Sequence, residues 1–195
     1  KIVHFADPKA DCAVTQAYGA DYIRKCVLPR VDWMAKNRFN WVHLGANGPY
    51  IWEREKLREV LVPEVVKRGL HLEVGGHTFN TWLPPDRYGK DHPDYWTGGY
   101  VCLSHADVAR LMAENMNTWL DENPEVEVVD LWHNDGSGFC RCPKCSPVNA
   151  GAGDAEARDA YAKTYIRFTN RVATLVGERH PKVWVNFLAY SHVTD

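Results

Sequence analysis

The feature that most constrains this chain is an alternation of two hydrophobic periods. Short apolar runs lie at residues 2–5, 41–45, 71–75, 126–132 and 183–190. Between them, apolar residues recur every three or four positions, which is the helical period. Residues 21–37 carry Ile23, Val27, Val31 and Met34 on one face, and Pro29 is expected to kink or restart that helix. Residues 53–68 align Leu57, Leu61 and Val65, with Gly69 as the stop signal. Residues 104–120 open on Ser104 and Asp107, a capping pair, and align Val108, Leu111, Met112, Asn115 and Trp119. Residues 155–176 align Tyr161, Tyr165, Phe168, Val172 and Leu175, and Gly177 is expected to end that helix. Long loops are expected over residues 76–103 and 133–153.

The order is therefore β-α-β-α-β-α-β-α-β, five strands and four helices. Strands joined by helical crossovers must run parallel, because each returns to the same end of the sheet. An open doubly wound sheet and a (β/α) barrel both satisfy this. No G-x-G-x-x-G follows the first strand, which disfavours dinucleotide binding. A complete barrel needs about 250 residues, and this chain has 195. The expectation is an α/β fold, (β/α)8 TIM-barrel-like but incomplete. It would form one partial domain over residues 1–195, a fragment of a larger chain.

Composition narrows the partners. Net charge is −2 with no basic stripe, which argues against nucleic acid. No apolar run approaches the ~20 residues needed to span a bilayer. No apolar signal stretch follows Lys1, so export cannot be read from the sequence. Eight Trp and nine Tyr suit sugar rings, which stack on flat apolar faces, though they also serve as core filling.

In either architecture, ligands bind at the carboxyl ends of the parallel strands. Asn47 and Tyr50 follow the second strand; His77, Asn80 and Trp82 follow the third. His133, Asn134 and Asp135 follow the fourth, and Tyr190 and His192 close the fifth. Asp135 beside Asn134 is the sharpest pair: an acid that could protonate a leaving oxygen next to an amide that could orient a substrate. The same residues also read as a simple Asn-Asp-Gly turn. Glu73, within the third strand, could face Asp135 as the second carboxyl of a glycosidase pair, or be a paired structural acid. His77 and His133 are binding candidates.

Cys140, Cys142 and Cys145 form a C-x-C-x-x-C run that suits a tetrahedral, structural Zn²⁺. Cys102 is the first choice for the fourth ligand and His133 the second. A disulfide with a spare thiol, or a thioredoxin-like pair, would use the same spacing. Cys12 and Cys26 carry no spacing signal and are expected to be buried or paired together.

Several segments together resemble one bacterial family. They are Gly75-Gly76-His77, His92-Pro93-Asp94-Tyr95-Trp96, Cys102-Leu103-Ser104, Asn134-Asp135-Gly136, Phe139-Cys140-Arg141-Cys142 with Cys145, and Leu188-Ala189-Tyr190. The family is domain of unknown function 4838, part of which is glycoside hydrolase family 163. The stretch from Asp32 to Asn40 also resembles the helix-to-strand step of β-hexosaminidase-type barrels. The resemblance implies a (β/α)8 barrel hydrolysing glycoprotein glycans as an endo-β-N-acetylglucosaminidase. It implies a substrate-assisted retaining mechanism with no catalytic cofactor, and a periplasmic, cell-surface or secreted location. By analogy Asp135 takes the acid/base or polarising role and Asn134 contacts an acetamide or hydroxyl. Related families place two acids here, whereas the first position is an amide in this chain. Glu73 is kept as a third catalytic candidate. Asn47, His77, Trp82, His133 and Tyr190 are kept as substrate contacts. Two other readings use the same residues: a non-catalytic carbohydrate-binding barrel and a zinc-stabilised interaction module.

Overall fold

A computed structural model describes residues 2–4, 23–44, 49, 57–134, 139–140, 142–145 and 154–189. Along the chain lie β1 (Ile2–His4), a π-helical turn (Ile23–Val27), α1 (Leu28–Lys36), β2 (Trp41–Leu44), α2 (Leu57–Lys67) and β3 (His71–Val74). Then come α3 (Phe79–Trp82), α4 (Pro85–Tyr88), a 3-10 turn (Pro93–Tyr95) and the short strands β4 (Trp96–Thr97) and β5 (Tyr100–Val101). The last elements are α5 (Val108–Glu122), β6 (Val128–Asp130), α6 (Asp154–Arg179) and β7 (Trp184–Asn186). The chain divides into two compact units, residues 1–76 with 123–130, and residues 77–122 with 131–195.

The first unit is a parallel α/β sheet in the order β1-β2-β3-β6, which is chain order within that unit. Pro29 sits in the first turn of α1, where its missing N–H costs nothing, so the helix restarts there after the π-turn. Gly69, with φ +62°, makes the left-handed exit from α2 that residues with a side chain resist. The register then sorts the side chains. His43 stands opposite Glu73 and Glu73 opposite Val128, so Asp130, two residues on, projects from the same face. Trp41 shares that parity. Val42, Leu72, Val74 and Val129 project from the other face and are all buried. One face is thus aliphatic, and the other carries the Trp41 indole, the imidazoles of His43 and His71 and two carboxylates, with Val128 among them.

Gly75 makes this arrangement possible. A Cβ at Gly75 would lie 2.2 Å from the Cβ of Asp130. Without one, the Asp130 carboxylate leans over the β3 terminus and accepts the Gly76 N–H at 2.7 Å.

The second unit is built on α5 and α6. Met112, Met116 and Leu120 of α5 and Tyr165, Val172 and Val176 of α6 are buried in it. The Tyr165 hydroxyl donates to the Leu131 carbonyl at 2.7 Å. Three expectations are corrected here. The stretch 76–103 is not a plain loop: Pro85 and Pro93 start short helices, and Gly98-Gly99, both at positive φ, close the β4–β5 hairpin. Helix α6 does not stop at Gly177 but runs to Arg179, whose guanidinium pairs with Asp121 on α5. The buried face of α5 is turned toward Ala109, Ala113 and Asn117, while Asn115 instead donates its side-chain amide to the Trp82 carbonyl at 2.8 Å. Tertiary contacts, not period, set that face. The fourth and fifth strands are also shorter than the apolar runs. Beyond β6, Trp132 forms a separate parallel bridge with His77. Among the described residues, no helix is long and apolar enough to cross a membrane.

Two substitutions check this packing by urea unfolding. Gly75→Ala should cost about 1–3 kcal/mol by overpacking against Asp130. Gly177→Ala, in open space within a helix, should stabilise by about 0.5–1 kcal/mol. A neutral Gly75→Ala would contradict the close approach of Asp130.

Candidate functional site

The second unit gathers the four cysteines that the sequence singles out. Cys102 directly follows β5, and its N–H is held by the Tyr95 carbonyl at 2.8 Å. Cys142 and Cys145 face each other across a tight turn in which the Cys145 N–H donates to the Cys142 carbonyl at 3.0 Å. Thr164 of α6 donates to the Cys145 carbonyl at 3.1 Å, and Phe139 packs on Tyr161 with ring centroids 4.7 Å apart. These contacts pin the knuckle to α6. One sulfur from each of Cys102, Cys140, Cys142 and Cys145 lies within 4.8 Å of the others, so the four could hold a metal ion. Cys102 to Cys142 is 3.7 Å and Cys102 to Cys145 is 3.8 Å.

All four are free thiols, not disulfides. Cys26, by contrast, is disulfide-bonded, and Cys12 lies outside the described residues. Crowding polarises the cluster. Hydrogen bonds from Cys102 and Cys145 pull the Cys140 thiol far below its ordinary value, and the same bond to Cys140 pushes Cys102 up. Of the two proposed fourth ligands, Cys102 is in the group and His133 is not.

The second unit has a small concavity of ≈ 20 Å³, lined by Phe79, Tyr100, Val101, His133, Asn134 and Tyr161, which is about the room of one water molecule. It joins His133 and Asn134, two of the expected site residues, to three aromatic rings. Asn134 is half-buried at its wall. His133 is buried with its ring edge-on to Tyr165, centroids 5.4 Å apart. His77 donates from Nδ1 to the His133 carbonyl at 2.5 Å, and its ring meets Trp132 edge-on. This bond fixes the chain just before Asn134. Trp82 is 2% exposed and packs edge-on against Trp119, which makes it a core side chain. Asn47, Tyr50, Asp135, Tyr190 and His192 lie outside the described residues.

Glu73 belongs to a different group, in the first unit. It is buried and accepts the Trp41 indole N–H at 2.5 Å. His43 Nε2 and Asp130 Oδ2 are 2.8 Å apart, and both residues are buried. One ligand atom from each of His43, Glu73 and Asp130 lies within 4.8 Å of the others. Sequence reasoning took Glu73 and passed over His43 and Asp130. The available signal was a polar residue inside an otherwise apolar parallel strand, which both segments display.

No curated protein and no solved structure matches the chain. One family does, over residues 11–195, and those residues include both clusters and the concavity. The chain therefore belongs to the DUF4838 family, described as a domain of unknown function.

Proposed function

We propose that this domain is a (β/α)8-type barrel of the glycoside hydrolase kind, acting on N-acetylglucosamine-containing glycans. The observation that carries the reading is strand order. A doubly wound sheet reverses its order at a switch point, whereas β1-β2-β3-β6 keeps chain order as a barrel does. Right-handed crossovers in one direction put the helices on a single face. The other face then becomes the barrel interior, and the polar set Trp41, His43, Glu73 and Asp130 suits a polar interior. In the second unit, Asn134 stands among the aromatic rings of a concavity of ≈ 20 Å³; were it to open, the rings would meet the methyl of an acetamido group and the amide its polar end.

In the mechanism this supports, the acetamide oxygen of the substrate attacks the anomeric carbon. Asn134 orients that acetamide by hydrogen bonding. Asp135 gives its proton to the departing glycosidic oxygen, and water then opens the cyclic intermediate with Asp135 taking the proton back. Glycan release from N-linked glycoproteins by the longest native chain tests this. Asp135→Ala should lower the rate by at least about 10²-fold while circular dichroism stays unchanged. Normal turnover by that variant removes Asp135 as the acid. Glycan binding without any release by the wild type would leave a carbohydrate-binding barrel instead.

We further infer that the four-cysteine cluster holds Zn²⁺ in a structural role. Tetrahedral thiolates ~2.3 Å from zinc have sulfur–sulfur edges of about 3.8 Å, and the two distances above are 3.7 and 3.8 Å. Four protein sulfurs close the coordination shell, so no position is left for a reacting water. Conditions that keep Cys26 oxidised would also pair four crowded thiols unless a metal held them. Cys142→Ser should remove the zinc found by elemental analysis and lower Tm by at least about 5 °C, or roughly 2 kcal/mol. An unchanged melting curve in a wild type without zinc rejects the site.

A further inference from the structure

We propose that His43, Glu73 and Asp130 form a second metal site, for a first-row divalent cation such as Mn²⁺ or Zn²⁺. The three residues stand on three adjacent parallel strands and share one face: His43 is opposite Glu73, and Asp130 lies two residues past Val128, the partner of Glu73. Hydrogen-bonded strands, not loops, therefore hold all three side chains, as a precise metal site requires. An imidazole nitrogen and two carboxylate oxygens lie within 4.8 Å of one another. All three side chains are at most 3% exposed.

Burying two carboxylates and an imidazole is costly where aliphatic residues would pack. The opposite face of the same strands shows that this sheet packs well on Val and Leu alone. The cluster also has the outer layer of donors that orients metal ligands. The Trp41 indole N–H holds Glu73, and the Gly76 backbone N–H holds Asp130. The separation of 2.8 Å between His43 Nε2 and Asp130 Oδ2 matches two adjacent ligands of a cation about 2.0–2.1 Å from each. One nitrogen with two oxygens selects a borderline cation: imidazole is a poor ligand for Ca²⁺ or Mg²⁺, and the absence of sulfur from the set disfavours Cu⁺.

The hydrogen bond between Nε2 and Oδ2 opens, the imidazole keeps one proton on Nδ1, and Nε2 offers its lone pair to the cation. Both carboxylates bind ionised, and any excess proton leaves to solvent. Because the group is buried, the cation enters as the chain folds.

Mn²⁺ is the useful probe, since thiolates hold it weakly. The chain is refolded with one equivalent of Zn²⁺, which the four thiolates take first, and an excess of Mn²⁺, then dialysed and assayed for both metals. One Mn²⁺ per chain is expected, with paramagnetic broadening of the His43 ring resonances. Glu73→Gln and His43→Gln should each weaken Mn²⁺ binding at least 100-fold, and Cys142→Ser should leave it intact. Trp41→Phe, which keeps all three ligands, should weaken it about tenfold. If the ligand variants fail to fold, the His43 broadening in the wild type decides alone. Absence of bound Mn²⁺, or bound Mn²⁺ that leaves the His43 resonances sharp, overturns the proposal and leaves a hydrogen-bonded polar cluster only.

Discussion

The register that sets His43 beside Glu73, with Asp130 two residues past its neighbour, is the constraint on which the first unit turns. Parallel pairing fixes which side chains share a face, and a slip of one residue would exchange the faces entirely. In the observed register four aliphatic residues fall on one side and the indole, imidazoles and carboxylates on the other. The absence of a side chain at Gly75 lets Asp130 close over the end of β3 and take the Gly76 N–H. The turn toward His77 thus begins from a carboxylate-held amide.

The two units solve the problem of holding polar groups in different ways. In the first, adjacent strands present an imidazole and two carboxylates that need no turn to converge. In the second, Cys140, Cys142 and Cys145 come from a tight knuckle, and Cys102 is brought in by the β4–β5 hairpin. A loop of that kind buries few aliphatic side chains, so a metal centre would supply the cohesion that its own packing does not. The knuckle is anchored on α6 through Thr164 and Tyr161, and α6 also carries Tyr165, which caps the Leu131 carbonyl at the start of the segment leading to Asn134. One helix therefore steadies both the cysteine cluster and the walls of the concavity.

Much of the fold was legible because period and punctuation are local. The strands of the sheet, the helices between them, the restart at Pro29 and the exit at Gly69 all follow from side-chain spacing and the backbone limits of two residue types. The cysteine cluster was legible for the same reason: three of its members lie within six residues, and the fourth was the cysteine ending the preceding loop. The hairpin at Gly98-Gly99 carried a readable turn signal that its very short strands concealed. Helix α6 overran Gly177 because contacts with α5, including Arg179 to Asp121, outweigh the intrinsic cost of one glycine, about 1 kcal/mol.

By itself, the sequence determined the alternation of strand and helix, the parallel direction that this forces, and the clustering of thiols in the knuckle. Each of these depends on residues close together in the chain. Only the tertiary structure decided that Glu73 meets Trp41, His43 and Asp130, that Trp82 is core, and that α5 turns Asn115 outward to a carbonyl. Those facts depend on which residues stand opposite one another across strands and helices. That pairing is set by the summed burial of whole faces, which no short stretch of sequence contains.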